Sequence, residues 1–345
     1  MAAETMVLVG NPGVVHIGAH LNHAAKCLGL HVILADSTMA FAGSAWLVKF
    51  NWWLRGHRPS RLREFSEQVV QTCREVHPSW MLSTGPAPIE PWALTAIGKL
   101  GVQRFNYLTD DPWNPAHRAP WFMHALPFYD HIFSPRRANR EDLRRLGCPE
   151  VSYLPFAYAP ELHFPESPAT PEERAQFDSD VIFAGGADRD RVPYIAALIR
   201  ERFKVVLYGG YWERFSETQL HTRGQADPQT LRKAIGGAKI ALGLVRRANR
   251  DGHSMRTFET PAIGACCLTE DTEGHREIFG EEGKAVVYFH TIPEMIEKLH
   301  WLLDHDAERQ QLAATAHALI VNGRNTYKDR LIDMLLQRKS HELEA

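Results

Sequence analysis

Two kinds of apolar pattern alternate along this chain. Residues 6–9, 31–35, 80–82, 102–107, 131–134 and 151–154 are short runs rich in apolar residues, read as strands buried on both faces. Between them, segments such as 61–77 and 136–146 carry apolar residues at helical spacing. Strand and helix in alternation predict a parallel sheet covered by helices. The alternation stops over 155–171, where Pro155, Pro160, Pro165, Pro168 and Pro171 fall, and resumes with strands expected over 180–184, 204–208, 240–244 and 266–269. The expected fold class is therefore α/β, with two Rossmann-like parallel-sheet domains facing each other across a cleft. The N-terminal domain spans 1–160, a Pro-rich linker 161–179 and the second domain 180–325, and a C-terminal helix over 326–345 packs back toward the first domain. The tail over 292–337 reads as helical with a break near Gly323. Ligands in such sheets bind beyond the carboxyl ends of the strands, so the loops there are the place to look for chemistry.

Length agrees with this division, because 345 residues suit two domains of roughly 150 residues each. A formal net charge of −2 gives no global attraction to nucleic acid, and any anion binding must be local. The start, M-A-A-E-T-M-V-L-V-G, has no basic n-region, and no apolar run reaches the roughly 18 residues of a membrane span. Five scattered cysteines, Cys27, Cys73, Cys148, Cys266 and Cys267, argue against a disulfide framework or a zinc site. A cytoplasmic enzyme or binding protein is the expectation. Residues 46–63 place Trp46, Trp52 and Trp53 among Lys49, Arg55, Arg58, Arg61 and Arg63. Such a helix can lie on an anionic membrane face, which leaves peripheral membrane contact open, or fold as a hairpin on its own sheet. The hairpin is expected, since tryptophan usually reports burial.

The segment 251–264, D-G-H-S-M-R-T-F-E-T-P-A-I-G, carries the most chemistry. Ser254 stands where a helix would be N-capped, and helix N-termini favour phosphate. Arg256 can add a charge-assisted contact, Glu259 follows on a neighbouring helical face, and Asp251 stands at the loop mouth. The group suits a nucleotide diphosphate and its ribose; the plain alternative is a capped helix with Arg256 and Glu259 as a solvated pair. After the first strand come Gly10 and Gly13, then His16 and His20. A glycine turn lets a substrate approach backbone N–H groups, and a nearby histidine can take a proton near neutral pH. The spacing does not match G-x-G-x-x-G, and either histidine can equally be a plain helix-surface residue. N-Y-L-T-D-D-P-W-N-P over 106–115 sets Asp110 and Asp111 beside Trp113 in a loop, either a structural turn or a surface for a sugar or other polyhydroxylated acceptor. Asp188 and Asp190 form D-R-D just after Gly186. They read as acids complementing a helix N-terminus rather than as metal ligands, while Arg189 or Arg191 can reach a phosphate.

Taken together, D-V-I-F-A-G-G (180–186), A-K-I-A-L-G-L (238–244), H-S-M-R-T-F-E-T-P-A-I-G (253–264), E-I-F-G-E-E-G-K-A-V-V-Y (277–288) and N-T-Y-K-D-R-L (325–331) resemble glycosyltransferases of the GT-B fold. The resemblance is greatest to the bacterial group named after the spore maturation protein CgeB. T-D-D-P, Y-D-H-I-F-S-P (129–135) and Y-L-P-F-A-Y-A-P-E-L-H (153–163) extend it more loosely into the first half. The resemblance implies a nucleotide-diphosphate sugar as co-substrate held by the C-terminal domain, with no cofactor and no obligatory metal. The donor residues would be Gly186, Arg189, Asp251, His253, Ser254, Arg256 and Glu259. Glu259 falls where related enzymes bind the ribose hydroxyls, and Asp251 at the first acid of an E-x7-E pattern, as Asp rather than Glu. The acceptor, a glycan, a lipid-linked molecule or a small molecule, would lie on the N-terminal domain near Gly13, His20, Asp110 and Trp113. If the reaction inverts, His16 or Asp111 would supply the catalytic base, with His20 the rival of His16. Two rival readings share this architecture: a non-catalytic binding protein for a nucleotide sugar or another small ligand, and a sugar-nucleotide epimerase.

Overall fold

The computed structural model describes residues 4–250 and 252–344. They form two parallel-sheet units. In the first, β1 (Thr5–Gly10), α1 (Ile17–Cys27), β2 (His31–Asp36), α2 (Ala45–Leu54), α3 (Leu62–Val76), β3 (Trp80–Thr84), α4 (Pro91–Gly98), β4 (Gln103–Tyr107), α5 (Pro120–Ala125), β5 (His131–Ser134), α6 (Ala138–Arg145) and β6 (Glu150–Tyr153) alternate. Six strands pair in the order β2-β1-β3-β4-β5-β6, all parallel. The apolar runs become strands because both faces are covered: Met6, Val7, Leu8 and Val9 are all fully buried. α3 buries Leu62, Phe65, Ser66, Val69, Val70 and Cys73, one stripe at helical spacing. It ends where His77 turns left-handed at φ 44 ahead of Pro78.

The second unit contains α7 (Pro171–Phe177), β7 (Ser179–Ala184), α8 (Val192–Arg200), β8 (Val205–Tyr208), α9 (Pro228–Gly237), β9 (Ala238–Gly243), α10 (Arg256–Ala262), β10 (Cys267–Glu270), α11 (Glu273–Phe279), β11 (Val287–Phe289), α12 (Ile292–Asp304) and α13 (Asp306–Val321). Its five strands run β11-β10-β9-β7-β8, again in parallel. Val181, Leu207, Ile240, Leu268 and Leu302 lie at the centre of its core.

Neither unit is one continuous stretch of chain. The first is Met1–Pro155 with Ala248–Arg250 and Tyr327–Ala345; the second is Phe156–Arg247 with Asp251–Thr326. The last helix, α14 (Tyr327–Glu344), therefore belongs to the first unit and packs on α1. There Tyr327, Leu331 and Met334 are buried, and Arg330 Nε donates to the Pro155 carbonyl at 2.9 Å.

Four features depart from the sequence reading. The stretch read as linker forms α7, started by a Thr170 side chain that accepts from Glu173 N, with Pro171 at its first turn. β11 was not read as a strand, and the helical tail breaks at His305 as well as near Gly323. The tryptophans of α2 are not buried: Trp46 and Trp53 are 69% and 79% exposed. Among the described residues no helix is long and apolar enough to cross a membrane.

Candidate functional site

β7 and β8 lie side by side and each ends in two glycines, Gly185-Gly186 and Gly209-Gly210. The turns interlock through Gly185 N to Tyr208 O at 2.8 Å and Ala187 N to Gly210 O at 2.9 Å. Gly209 has φ +131, and a Cβ there would collide with the Gly185 carbonyl, so this approach requires glycine. Beyond the two strand ends lies a cavity of about 420 Å³, walled by both glycine pairs, Tyr208, Gln225 and Arg256. Arg256 is held in place by two bonds: Nε donates to the Ala184 carbonyl at 3.1 Å and Nη1 pairs with Glu259 Oε2. A fixed guanidinium beside two closely packed glycine turns is a site for an anion.

Glu259 does not line this cavity. It is 1% exposed and stands behind Arg256, with Oε1 3.8 Å from His163 Nε2. His163 Nδ1 accepts from Ala159 N at 3.1 Å, so in the neutral ring the proton is on Nε2 and faces the carboxylate. His253 is buried edge-on between Phe156 and Phe258 at 5.8 and 5.6 Å, a packing position. Ser254 does not cap α10. The N-cap is Met255 without a side-chain bond; the Thr257 N–H that a capping Ser254 hydroxyl would take donates instead to the Ser254 carbonyl at 3.1 Å, while the Thr257 hydroxyl accepts from Ser254 N at 3.1 Å. Pro261 lies inside α10 and Gly264, at φ +99, follows it, which keeps the helix short. Asp251 lies outside the described residues.

Near Gly186, Asp188 closes the turn before α8. Its Oδ1 accepts from Asp190 N and Arg191 N at 3.0 and 2.9 Å, as expected of a helix-terminal acid. Arg191 is buried and donates to the Gly186 and Leu244 carbonyls at 3.1 and 3.0 Å, tying the end of β7 to the end of β9. Arg189 is exposed and is the one of the two able to meet a ligand. Arg246 was not singled out from the sequence, yet its guanidinium would lie 3.7 Å from a Cβ on Gly186.

Behind the site, His275 joins α11 to its neighbours. Its Nδ1 donates to the Glu270 carbonyl at 2.8 Å and its Nε2 lies 3.1 Å from Thr257 Oγ1. Burial pushes its pKa down to about 4. Between the unfolded value of 6.5 and about 4, the unfolded chain binds a proton that the folded chain does not, so stability falls as pH falls. The expected result is a loss of roughly 1.4 kcal/mol per pH unit across that window. Denaturation at stepped pH reads it, and a His275→Gln chain with the same acid slope would refute the assignment.

In the first unit, the strand order reverses at β1, which pairs with β2 on one side and β3 on the other, the position where such sheets open a crevice. The loop after β1 is built tightly there. Gly13 N donates to Asn11 Oδ1 at 2.8 Å, His16 N to Gly13 O at 2.8 Å, and a Cβ on Gly13 would come within 2.9 Å of the His16 ring. His16 begins α1 in extended conformation without a side-chain cap bond. Its ring is exposed overall, yet the crowding loop removes enough water to lower its pKa. His20 is buried instead, stacked on Tyr327 at 4.9 Å, which makes it part of the α1–α14 packing.

The acidic loop forms a separate cluster. Asp111 is 1% exposed, and Arg250 grips it with Nε to Oδ2 at 2.5 Å and Nη2 to Oδ1 at 3.1 Å. Trp113 N donates to the same Oδ1 at 2.9 Å. Arg250 also donates to Asp142 Oδ2 at 2.7 Å, and these carboxylates raise its own pKa, Asp111 most. Asp110 accepts from Asn249 Nδ2 at 3.2 Å, and the Trp113 ring lies 5.7 Å from the Arg250 guanidinium. The structure thus brings Asp110, Asp111 and Trp113 together around Asn249 and Arg250, and commits Asp111 to an ion pair where a free base was expected.

The fold that these two units define is GT-B, the glycosyltransferase fold. Residues 191–336 match the family described as glycosyl transferase-like. No curated protein matches the chain in sequence. Among solved structures, sucrose-phosphate synthase from Thermosynechococcus elongatus superposes with a TM-score of 0.72 at 12% identity, covering 99% of this chain and 100% of that one. HepE from Anabaena, in complex with UDP-glucose, gives 0.64 at 13% identity over 97% and 99%. A UDP-N-acetylglucosamine 2-epimerase gives 0.56 at 11% identity over 99% and 98%.

Proposed function

We propose that the chain is a glycosyltransferase that takes a sugar from a nucleotide-diphosphate donor held in the second unit and delivers it to an acceptor held by the first, with no obligatory metal ion. The observation that carries this reading is the cavity of about 420 Å³ at the ends of β7 and β8. It combines two glycine turns with one anchored arginine, a site shaped for a diphosphate. The family match over 191–336 and the likeness to a structure holding UDP-glucose support it.

In the reaction an acceptor hydroxyl oxygen bonds to the anomeric carbon, the bond from that carbon to the diphosphate oxygen breaks, and the electron pair leaves with the nucleotide. Arg256 offsets the charge that grows on the leaving group, with Arg189 and Arg246 near the same turn. On an inverting course the acceptor proton passes to His16. Glu259 acts on the donor by holding Arg256 toward the diphosphate from behind the cavity wall.

Glu259→Ala is expected to weaken nucleoside diphosphate binding by about 1 to 3 kcal/mol. Calorimetry with uridine, guanosine, thymidine and cytidine diphosphates first finds the base, and the variant is then titrated with the best of them. Unchanged affinity in a folded variant removes Glu259 from the donor site. If Glu259 touches the ribose, the variant also stops discriminating against the dideoxy nucleotide. Activity lost in EDTA and restored by manganese would refute metal independence. The likeness to an epimerase favours a second reading, in which a nucleotide sugar alone yields an epimerised product with no acceptor present.

A further inference from the structure

The first unit displays a built apolar and basic face that the transfer reaction does not use. On α2 and just before it, Met39, Trp46, Trp53 and Leu54 are 51%, 69%, 79% and 72% exposed. Trp46, Phe50, Trp53 and Leu54 recur at the spacing of one helical face, and Trp46 stacks on Phe50 at 5.5 Å. This face is held rigidly from below. Asn51 is buried and donates to Ser60 Oγ at 3.1 Å, Trp121 Nε1 donates to the His57 carbonyl at 3.2 Å, and a Cβ on Gly56 would meet the Pro120 ring at 2.6 Å.

The charges of the segment choose its occupant. No acidic residue occurs between Asp36 and Glu64. Arg58 pairs with Glu90 and Arg61 with Glu64, but Lys49 and Arg55 have no carboxylate partner among the described residues and are exposed. Exposed tryptophan and leucine beside uncompensated cations match the boundary of an anionic bilayer, where indole rings sit at headgroup depth and cations meet phosphates. A second copy of the chain fits less well. A two-fold contact through this face would bring Lys49 and Arg55 against their own equivalents.

We propose that α2 and the turn before it seat the first unit on the surface of an anionic lipid bilayer, with Trp46, Trp53 and Leu54 at the acyl boundary and Lys49 and Arg55 among the phosphates. The inference is independent of the transfer reaction. The full chain is sedimented with vesicles of phosphatidylcholine alone and of phosphatidylcholine with phosphatidylglycerol at about 2:1, with and without added salt. Binding is expected only to the mixed vesicles, and weaker in salt. The Lys49→Glu/Arg55→Glu and Trp46→Ser/Trp53→Ser variants should each lower partitioning by roughly tenfold or more while unfolding at the temperature of the parent. The charge variant keeps the test decisive if the tryptophan variant fails to fold. No binding to the mixed vesicles, retention of binding by both variants, or a dimer in solution that the tryptophan variant dissolves would each overturn the proposal.

Discussion

Replacing His16 by alanine should lower sugar transfer by roughly 100-fold and leave nucleotide affinity unchanged. The ring stands in the loop after β1, where the strand order reverses, with no hydrogen bond to its nitrogens among the described residues. Its lowered pKa keeps it neutral near pH 7 and ready to accept a proton. The donor cavity is built wholly from the other unit, so loss of the imidazole should change turnover and not donor binding. Rate against pH should fall on the acid side as the ring charges, and the variant should lose that limb. Steady-state kinetics with calorimetry on the same preparation decides it: full turnover, or a loss of nucleotide affinity instead, would remove His16 from the reaction.

Arg250→Ala should cost about 3 kcal/mol of stability, the low end for breaking a buried ion pair. Asp111 is 1% exposed while the Arg250 side chain is 40% exposed, so the substitution strands a buried carboxylate with Trp113 N as its remaining hydrogen-bond donor among the described contacts. Arg250 also has left-handed backbone, φ 50, a conformation that alanine tolerates no better. Denaturant unfolding measures the loss. Adding Asp111→Asn should restore part of it, since the stranded charge is then gone; a double variant no more stable than Arg250→Ala would mean that the pair is not what holds this loop.

The strands were legible because a strand covered on both faces is mostly apolar, so runs such as 6–9 and 80–82 stand out unaided. β11 was legible by the same rule, since A-V-V-Y-F over 285–289 is an unbroken apolar run, although the sequence reading passed over it. The aromatic helix misled for a physical reason: periodicity reports which residues share a face, not whether anything covers that face, and tryptophan weights the guess toward burial. In the candidate site, the glycine turns and Arg256 were readable as local chemistry. The ion pair of Asp111 was not, because its partner Arg250 lies 139 residues along the chain. His163 lies in Y-L-P-F-A-Y-A-P-E-L-H over 153–163, but its place beside Glu259 depends on contact with a distant helix. The Ser254 cap failed because the Thr257 N–H that its hydroxyl would have accepted goes to the Ser254 backbone carbonyl.

The path of the polypeptide has a consequence for inheritance. It passes from one unit to the other after Pro155, Arg247, Arg250 and Thr326, so no single breakpoint separates the two. A recombination joint near residue 155 would deliver a first unit stripped of α14, leaving His20 and the rest of its stacking face on α1 uncovered. Swapping the second unit between relatives therefore requires a matching joint near residue 326, and a chimera that also replaces residues 248–250 must carry an arginine equivalent to Arg250 or leave Asp111 stranded.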